Sequence, residues 1–255
     1  MVLCPVSDDD SLTFLRALPH RRAEGPPVVV FNSIGKKGAR PEFIGTVARL
    51  NRPVLFVLDH QASWYATPDK AARVTAAIQD AMADWGAVAV DTLGFSMGAY
   101  PAIAFAERVP VRHAVALSPR FSPDPAIVPD PRDRPGIARL SGKLALPTLA
   151  PGLARLQGGI ILHGMRGPDL RQFRHIHAPT QVDHWLLPHA GHFVVEWLRR
   201  HDRMEAVILA GLQGDRAAST RLLTDLGALR HRSLRARLIL HPVRALHGLH
   251  GLLQR

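Results

Sequence analysis

The chain has 255 residues, 47% hydrophobic and 21% charged, with a single cysteine, Cys4. That balance excludes a wholly disordered chain, the length suffices for one large hydrophobic core, and one cysteine excludes an internal disulfide framework or a cysteine-rich zinc site. The net charge is +11, yet only four of the 32 basic residues are lysines, so GC-rich coding accounts for the charge as readily as an anionic partner does.

Short apolar runs alternate with helical patterns along the first 200 residues. Val28–Phe31, introduced by Pro26-Pro27, is the first strand candidate. Pro41–Leu50 reads as a helix with proline near its start. Val54–Leu58, ending at Asp59, is a second strand, and Pro68–Trp85 a second helix with Val74, Ile78 and Met82 on one face. Ala87–Leu93 is a third strand, followed by a helix over Met97–Arg108. Val111–Leu117, Gly159–Leu162 and the weaker Trp185–Leu187 complete the series. The runs are continuous rather than alternating, as expected of strands covered on both faces of a parallel sheet. The order predicts an α/β architecture with a mostly parallel sheet of about six strands flanked by helices. Residues 1–25 offer no clear strand.

Two stretches break the rhythm. Ser118–Leu156 holds eight prolines and mixed charge, and reads as a lid insertion over about 119–156. From Leu226 to Arg255 there are six arginines and no acid. This predicts a basic helical extension over 201–255, broken near Gly214 and at His241-Pro242 and packed on the 1–200 domain. The segment has no aromatic residue after Trp197, so nucleic-acid binding is not expected. No apolar stretch approaches the ~20 residues of a membrane span. Asp8-Asp9-Asp10 stand where a signal peptide needs basic and then apolar residues, so the expected compartment is a bacterial-type cytoplasm.

Gly94-Phe95-Ser96-Met97-Gly98 fits G-x-S-x-G, a pattern that arises by chance roughly 0.06 times in a chain of this composition. It follows a strand and opens a helix, the setting in which a nucleophile elbow lifts a serine hydroxyl above a sheet. A serine hydroxyl needs a base, and the base an orienting acid. Asp169 is the first acid after the fifth strand, with Asp124 as the rival. His192, after Gly191 and before an apolar helix, is the candidate base, with His189 as the rival. His175, His177, Asp183 and His184 lack the spacing of a metal-site framework and read as a solvated loop. Asp59 reads as a loop-organising acid.

With these three parts in this order, residues 26–200 resemble the α/β-hydrolase superfamily, loosely its small bacterial members encoded near surface-polysaccharide genes. The Phe31-Asn32-Ser33 loop, the Trp64-Tyr65 pair and Ala116–Arg120 carry the closer impression. The resemblance implies Ser96 as nucleophile, His192 as general base and then acid, and Asp169 as orienter. It implies an oxyanion hole from the backbone N–H of Met97 and one from Ser33 or a neighbour, and no metal or organic cofactor. Asn32, Ile34, Trp64 and Tyr65 are candidate substrate contacts. The implied activity is hydrolysis of a carboxylic ester or thioester on a small molecule or carbohydrate. Acyl transfer to an alcohol and a catalytically silent binding scaffold stand as alternatives. Lys36, Lys37, Arg120, Arg132, Arg134, Arg139, Lys143, Arg166 and Arg171 fall near the expected site, so a focused positive field favouring anionic substrates is a further expectation.

Overall fold

The apolar runs become the middle of one sheet because each strand alternates its side chains between two separate cores. Val29, Phe31, Leu55 and Val57 enter one core, and Val28, Val30, Val54 and Phe56 the other. In the computed structural model, which describes residues 2–19, 24–34, 38–133, 135–233 and 236, this sheet has nine strands. They are β1 (Leu3–Asp8), β2 (Leu12–Ala17), β3 (Val28–Phe31), β4 (Val54–Asp59), β5 (Val90–Phe95), β6 (Val111–Leu117), β7 (Gly158–Gly164), β8 (Val182–Leu187) and β9 (Leu229–Arg230). Their spatial order is β1-β2-β4-β3-β5-β6-β7-β8-β9. The run from β4 to β8 is parallel, and β1, β2 and β9 join antiparallel at the two edges.

The expectation of about six strands therefore captured the parallel interior and missed the edges. Residues 3–17 form a hairpin after all. Leu-Cys-Pro-Val-Ser-Asp of β1 is almost wholly exposed and its register slips between Pro5 and Ser7. An edge strand covered on neither face needs no apolar run, so it leaves no periodic signal. The third strand also begins later than expected, at Val90 rather than Ala87. Ala87 N–H instead bonds Met82 O to close the preceding helix, and Val88 lies 88% exposed.

Nine helices are described: α1 (Ile44–Ala48), α2 (Pro68–Asp84), α3 (Ala99–Ala104), α4 (Pro135–Ala138), α5 (Ala150–Arg155), α6 (Leu170–Phe173), α7 (Val194–Arg200), α8 (Met204–Gln213) and α9 (Arg216–Asp225). The first is shorter than the expected 41–50, and the helix expected over 97–108 is α3 plus a 3₁₀ turn at Phe105–Glu107. In α2, Pro68 occupies the first turn, and Val74, Ile78 and Ala81 bury one face against the sheet, while Met82 is only half-buried. Helices α2, α3 and α5 cover one face, and α1, α7, α8 and α9 the other.

The proline-rich segment is knitted to the core. Asp124 accepts from Ala126 N–H, Ser141 Oγ and Gly142 N–H, and Leu146, Leu149 and Leu153 are buried. After residue 200, Gly214 (φ 72°) separates α8 from α9, and Val207, Ile208, Leu212 and Leu223 join the core. The break expected at His241-Pro242, and all of 234–255 except Ala236, lie outside the described residues. No described helix is long and apolar enough to cross a membrane.

Candidate active site

Ser96 sits where β5 turns into α3, with φ 53°, a left-handed conformation that costs a non-glycine residue energy. The glycines on either side make that turn possible. A Cβ on Gly94 would lie 2.1 Å from Gly98 O, and one on Gly98 would lie 2.1 Å from Phe31 O. Parallel pairing of β3 with β5, in register at Phe31 and Gly94, brings the β3 loop against this turn.

Two more strand ends converge on the hydroxyl. Ser96 Oγ is 2.8 Å from His192 Nε2, and His192 Nδ1 is 3.0 Å from both carboxylate oxygens of Asp169. The consistent proton placement is Ser96 O–H donating to Nε2, and Nδ1–H donating to Asp169. Asp169 follows β7 and caps α6, where its carbonyl accepts from Gln172 N–H and Phe173 N–H. His192 follows β8. Its loop is clamped onto the β7 loop by Arg166 N–H to Ala190 O, and by a contact between Gly164 and Gly191 that a Cβ would close to 2.1 Å. Ser118 Oγ, at the end of β6, donates to the His192 carbonyl at 2.8 Å. Ser118 lies in the Ala116–Arg120 strand end that the sequence singled out, but its bond to a loop 74 residues away carries no local signal.

Burial alone would push the Asp169 carboxyl up, but the hydrogen bond and charge of His192, with Arg132 behind them, outweigh it and hold it below the usual carboxylate range. Arg132 Nη1 donates to Asp169 Oδ1 at 2.7 Å and lies 3.0 Å from His192 Nδ1, while Nε and Nη2 fork onto Asp130. The rivals lie elsewhere. Asp124 is spent within the proline-rich segment, and His189 is exposed.

At the elbow, the three amides after Met97 bond Phe95 O, Ser96 O and Met97 O. Ser33 is differently engaged. Its N–H donates to Glu42 Oε2 at 3.1 Å and its hydroxyl donates to Glu42 Oε1. Burial pushes the Glu42 carboxyl up. Ser33 N–H is thus committed to a carboxylate, and Ile34 N–H is the neighbouring amide on that loop.

A cavity of 470 Å³ opens beside Ser96 and His192. Ile34, Trp64, Phe95 and Phe193 make its apolar wall, and Arg120 and Arg132 its charged one. Trp64 is held there by Asp59. That carboxylate accepts from the amides of Gln61, Ser63 and Tyr65, and pairs with buried Lys70 at 2.5 Å. Arg120 stacks over the Trp64 ring, 4.8 Å from its centroid. Asn32 and Tyr65 do not line this cavity. Asn32 braces Arg40 O and Glu42 N–H, and the Tyr65 hydroxyl is buried on Asn32 O and Val57 O. Cavities of 210 and 310 Å³ lie at the opposite, N-terminal ends of β7 and β8, beside Asp183 and Arg216. Among the described residues, no group of three or more His, Cys, Asp or Glu could hold a metal.

No family model matches this chain, and no curated protein matches it. Solved structures do. It is similar to a 2,6-dihydroxy-pseudo-oxynicotine hydrolase at 16% identity, covering 83% of this chain and 68% of that one, with a TM-score of 0.59. It is similar to an esterase of Pyrococcus furiosus at 13% identity, covering 88% and 91%, with a TM-score of 0.53. The chain has the α/β-hydrolase fold. A third similar structure is the capsule O-acetyltransferase of Neisseria meningitidis serogroup A, at 12% identity over 78% and 92% with a TM-score of 0.54. At such identities the likeness carries the fold, and chemistry on an α/β-hydrolase fold has to be argued from the site. Within this α/β-hydrolase fold, Ser96, Asp169 and His192 follow the carboxyl ends of β5, β7 and β8.

Proposed function

We propose that this chain hydrolyses a carboxylic ester or thioester through an acyl-enzyme. Ser96 is the nucleophile, His192 the general base and then acid, and Asp169 the orienter. The observation that carries this reading is the continuous relay from Ser96 Oγ through His192 to Asp169, at 2.8 and 3.0 Å, beside an open cavity. Such distances suit proton transfer out of the attacking hydroxyl and, later, onto the leaving group. The tetrahedral oxyanion takes the Met97 N–H and an amide of the 32–34 loop. Ser33 N–H serves only if Glu42 releases it; Ile34 N–H is the neighbour that keeps its place. Each such donor is worth about 10²–10³ in rate.

A second reading shares the same acyl-enzyme: a sugar or other alcohol accepts the acyl group in place of water. The cavity volume, within the roughly 300–1,000 Å³ of small-molecule sites, leaves room for an acceptor. The deciding experiment is labelling by a fluorophosphonate probe together with turnover of p-nitrophenyl acetate, with and without a sugar acceptor. Labelling and turnover lost in both Ser96→Ala and His192→Ala support the serine mechanism, and acetylated sugar among the products favours transfer. A folded wild type that neither labels nor turns over overturns the enzyme reading and favours a binding scaffold.

A further inference from the structure

We propose that the cavity beside Ser96 selects esters that carry a carboxylate, held by Arg120 and Arg132. This rests on the reading of Ser96 as nucleophile. Both arginines come from the proline-rich segment and both line the cavity. Among the described residues they are the permanently charged groups of its wall. The carboxylates that pair with them stand behind: Asp130 and Asp169 are 0% and 3% exposed at the side chain, and Asp133 16%. No carboxylate is among the described residues that line the cavity, so an anion entering it meets the guanidinium groups.

The hydrogen-bond inventory points the same way. Arg132 spends three of its five N–H donors, two on Asp130 and one on Asp169, and its side chain is 26% exposed toward the opening. Arg120 gives Nη1 to Asp133, and its Nη2 is 3.4 Å from Asp130. Its Cζ lies over the Trp64 ring, 4.8 Å from the centroid. Arg132 Nη1 lies 3.0 Å from His192 Nδ1, on the far side of the imidazole from Ser96. The carboxylate thus belongs on a short chain from the scissile carbonyl.

This differs from the long-range attraction expected from the sequence. Arg139, Lys143, Arg166 and Arg171 are exposed and do not line the cavity, and Lys36, Lys37 and Arg134 lie outside the described residues. Among the described residues, the two cavity guanidiniums are paired with three carboxylates, Asp130, Asp133 and Asp169. Recognition is by contact, so it is read in KM and is nearly independent of salt.

The test compares mono-p-nitrophenyl glutarate with p-nitrophenyl butyrate, two esters that differ chiefly in a terminal carboxylate. The wild type is expected to favour the glutarate ester by about tenfold or more in kcat/KM, mainly through KM. The ratio is expected to collapse about tenfold in Arg120→Gln. Arg120→Lys, which keeps the charge and loses the fork, gives an intermediate ratio and serves if Arg120→Gln fails to fold. Equal kcat/KM in the wild type, or a preference that survives both substitutions, overturns the proposal. Calorimetric binding of the same two esters to Ser96→Ala separates it from the hydrolase reading. Tighter binding of the glutarate ester, lost on adding Arg120→Gln, supports the anion site even where no fluorophosphonate labelling is seen. Equal binding of both esters overturns the anion site while leaving a labelled Ser96 intact.

Discussion

Arg132 reaches from the proline-rich segment to within 2.7 Å of Asp169, so the carboxylate beside His192 is held by a side chain 37 residues earlier in the chain. Asp169 has two neighbours to satisfy: His192 Nδ1 lies 3.0 Å from both its oxygens, and Arg132 Nη1 donates to Oδ1. Replacing Arg132 by methionine is expected to let the carboxylate rotate and its acidity return toward normal. kcat for p-nitrophenyl acetate should then fall about 10²-fold, the scale of a small misplacement of a reacting group. A kcat within twofold of the wild type would mean that His192 alone orients the acid.

The glycines of the elbow face backbone on both sides, and backbone cannot move aside. Gly94→Ala and Gly98→Ala are each expected to cost about 1–3 kcal/mol, as overpacking does, and to slow fluorophosphonate labelling. Gly45→Ala, in α1, meets nothing within 4 Å and is the control. It should leave stability unchanged or raise it by about 1 kcal/mol through helix propensity. Thermal melts of the three variants check the contrast.

Asp59 and Lys70 form a buried pair, 0% and 4% exposed at the side chain. Lys70→Met leaves the carboxylate unpaired beneath the Trp64 loop and should cost about 3–5 kcal/mol in urea unfolding. Adding Asp59→Asn should recover part of that loss, because the stranded charge is gone. A double variant no better than the sum of the singles would place the cost elsewhere.

His163 is fully buried between His184 and Pro119 O, and burial pushes its pKa down to about 4. The unfolded chain binds this proton near pH 6.5 and the folded chain only near 4. The stability it supports is therefore complete above pH 6.5 and is lost as pH falls toward 4, by about 3 kcal/mol. His184, also buried and shifted down, acts in the same sense. Melting temperatures between pH 7.5 and 4.5 should fall in the wild type and fall less steeply in His163→Gln. Parallel slopes would assign the acid loss to other groups.

How much of this was readable before folding depends on the range of the forces involved. The parallel strands β3 to β8 announce themselves because burial on two faces demands unbroken apolar runs. The hairpin of β1 and β2 does not, since an edge strand can be exposed, polar and proline-containing and still pair through its backbone. Asn32 and Tyr65 looked like pocket residues from their neighbours in sequence. Their side chains instead serve the loops behind the pocket, a distinction set by which way the backbone turns at Trp64 and Tyr65, both at positive φ.

The parallel interior of the sheet and the elbow at Ser96 are written locally, because apolar period, glycine and strand-to-helix order act over a few residues. Only the tertiary structure decided that Asp169 rather than Asp124 meets His192, that Glu42 takes the Ser33 amide, and that Arg120 and Arg132 reach the cavity. Those are contacts between segments tens of residues apart. A carboxylate or guanidinium carries no local mark of the partner that will neutralise it, so its place becomes definite only when sheet pairing brings the strand ends together.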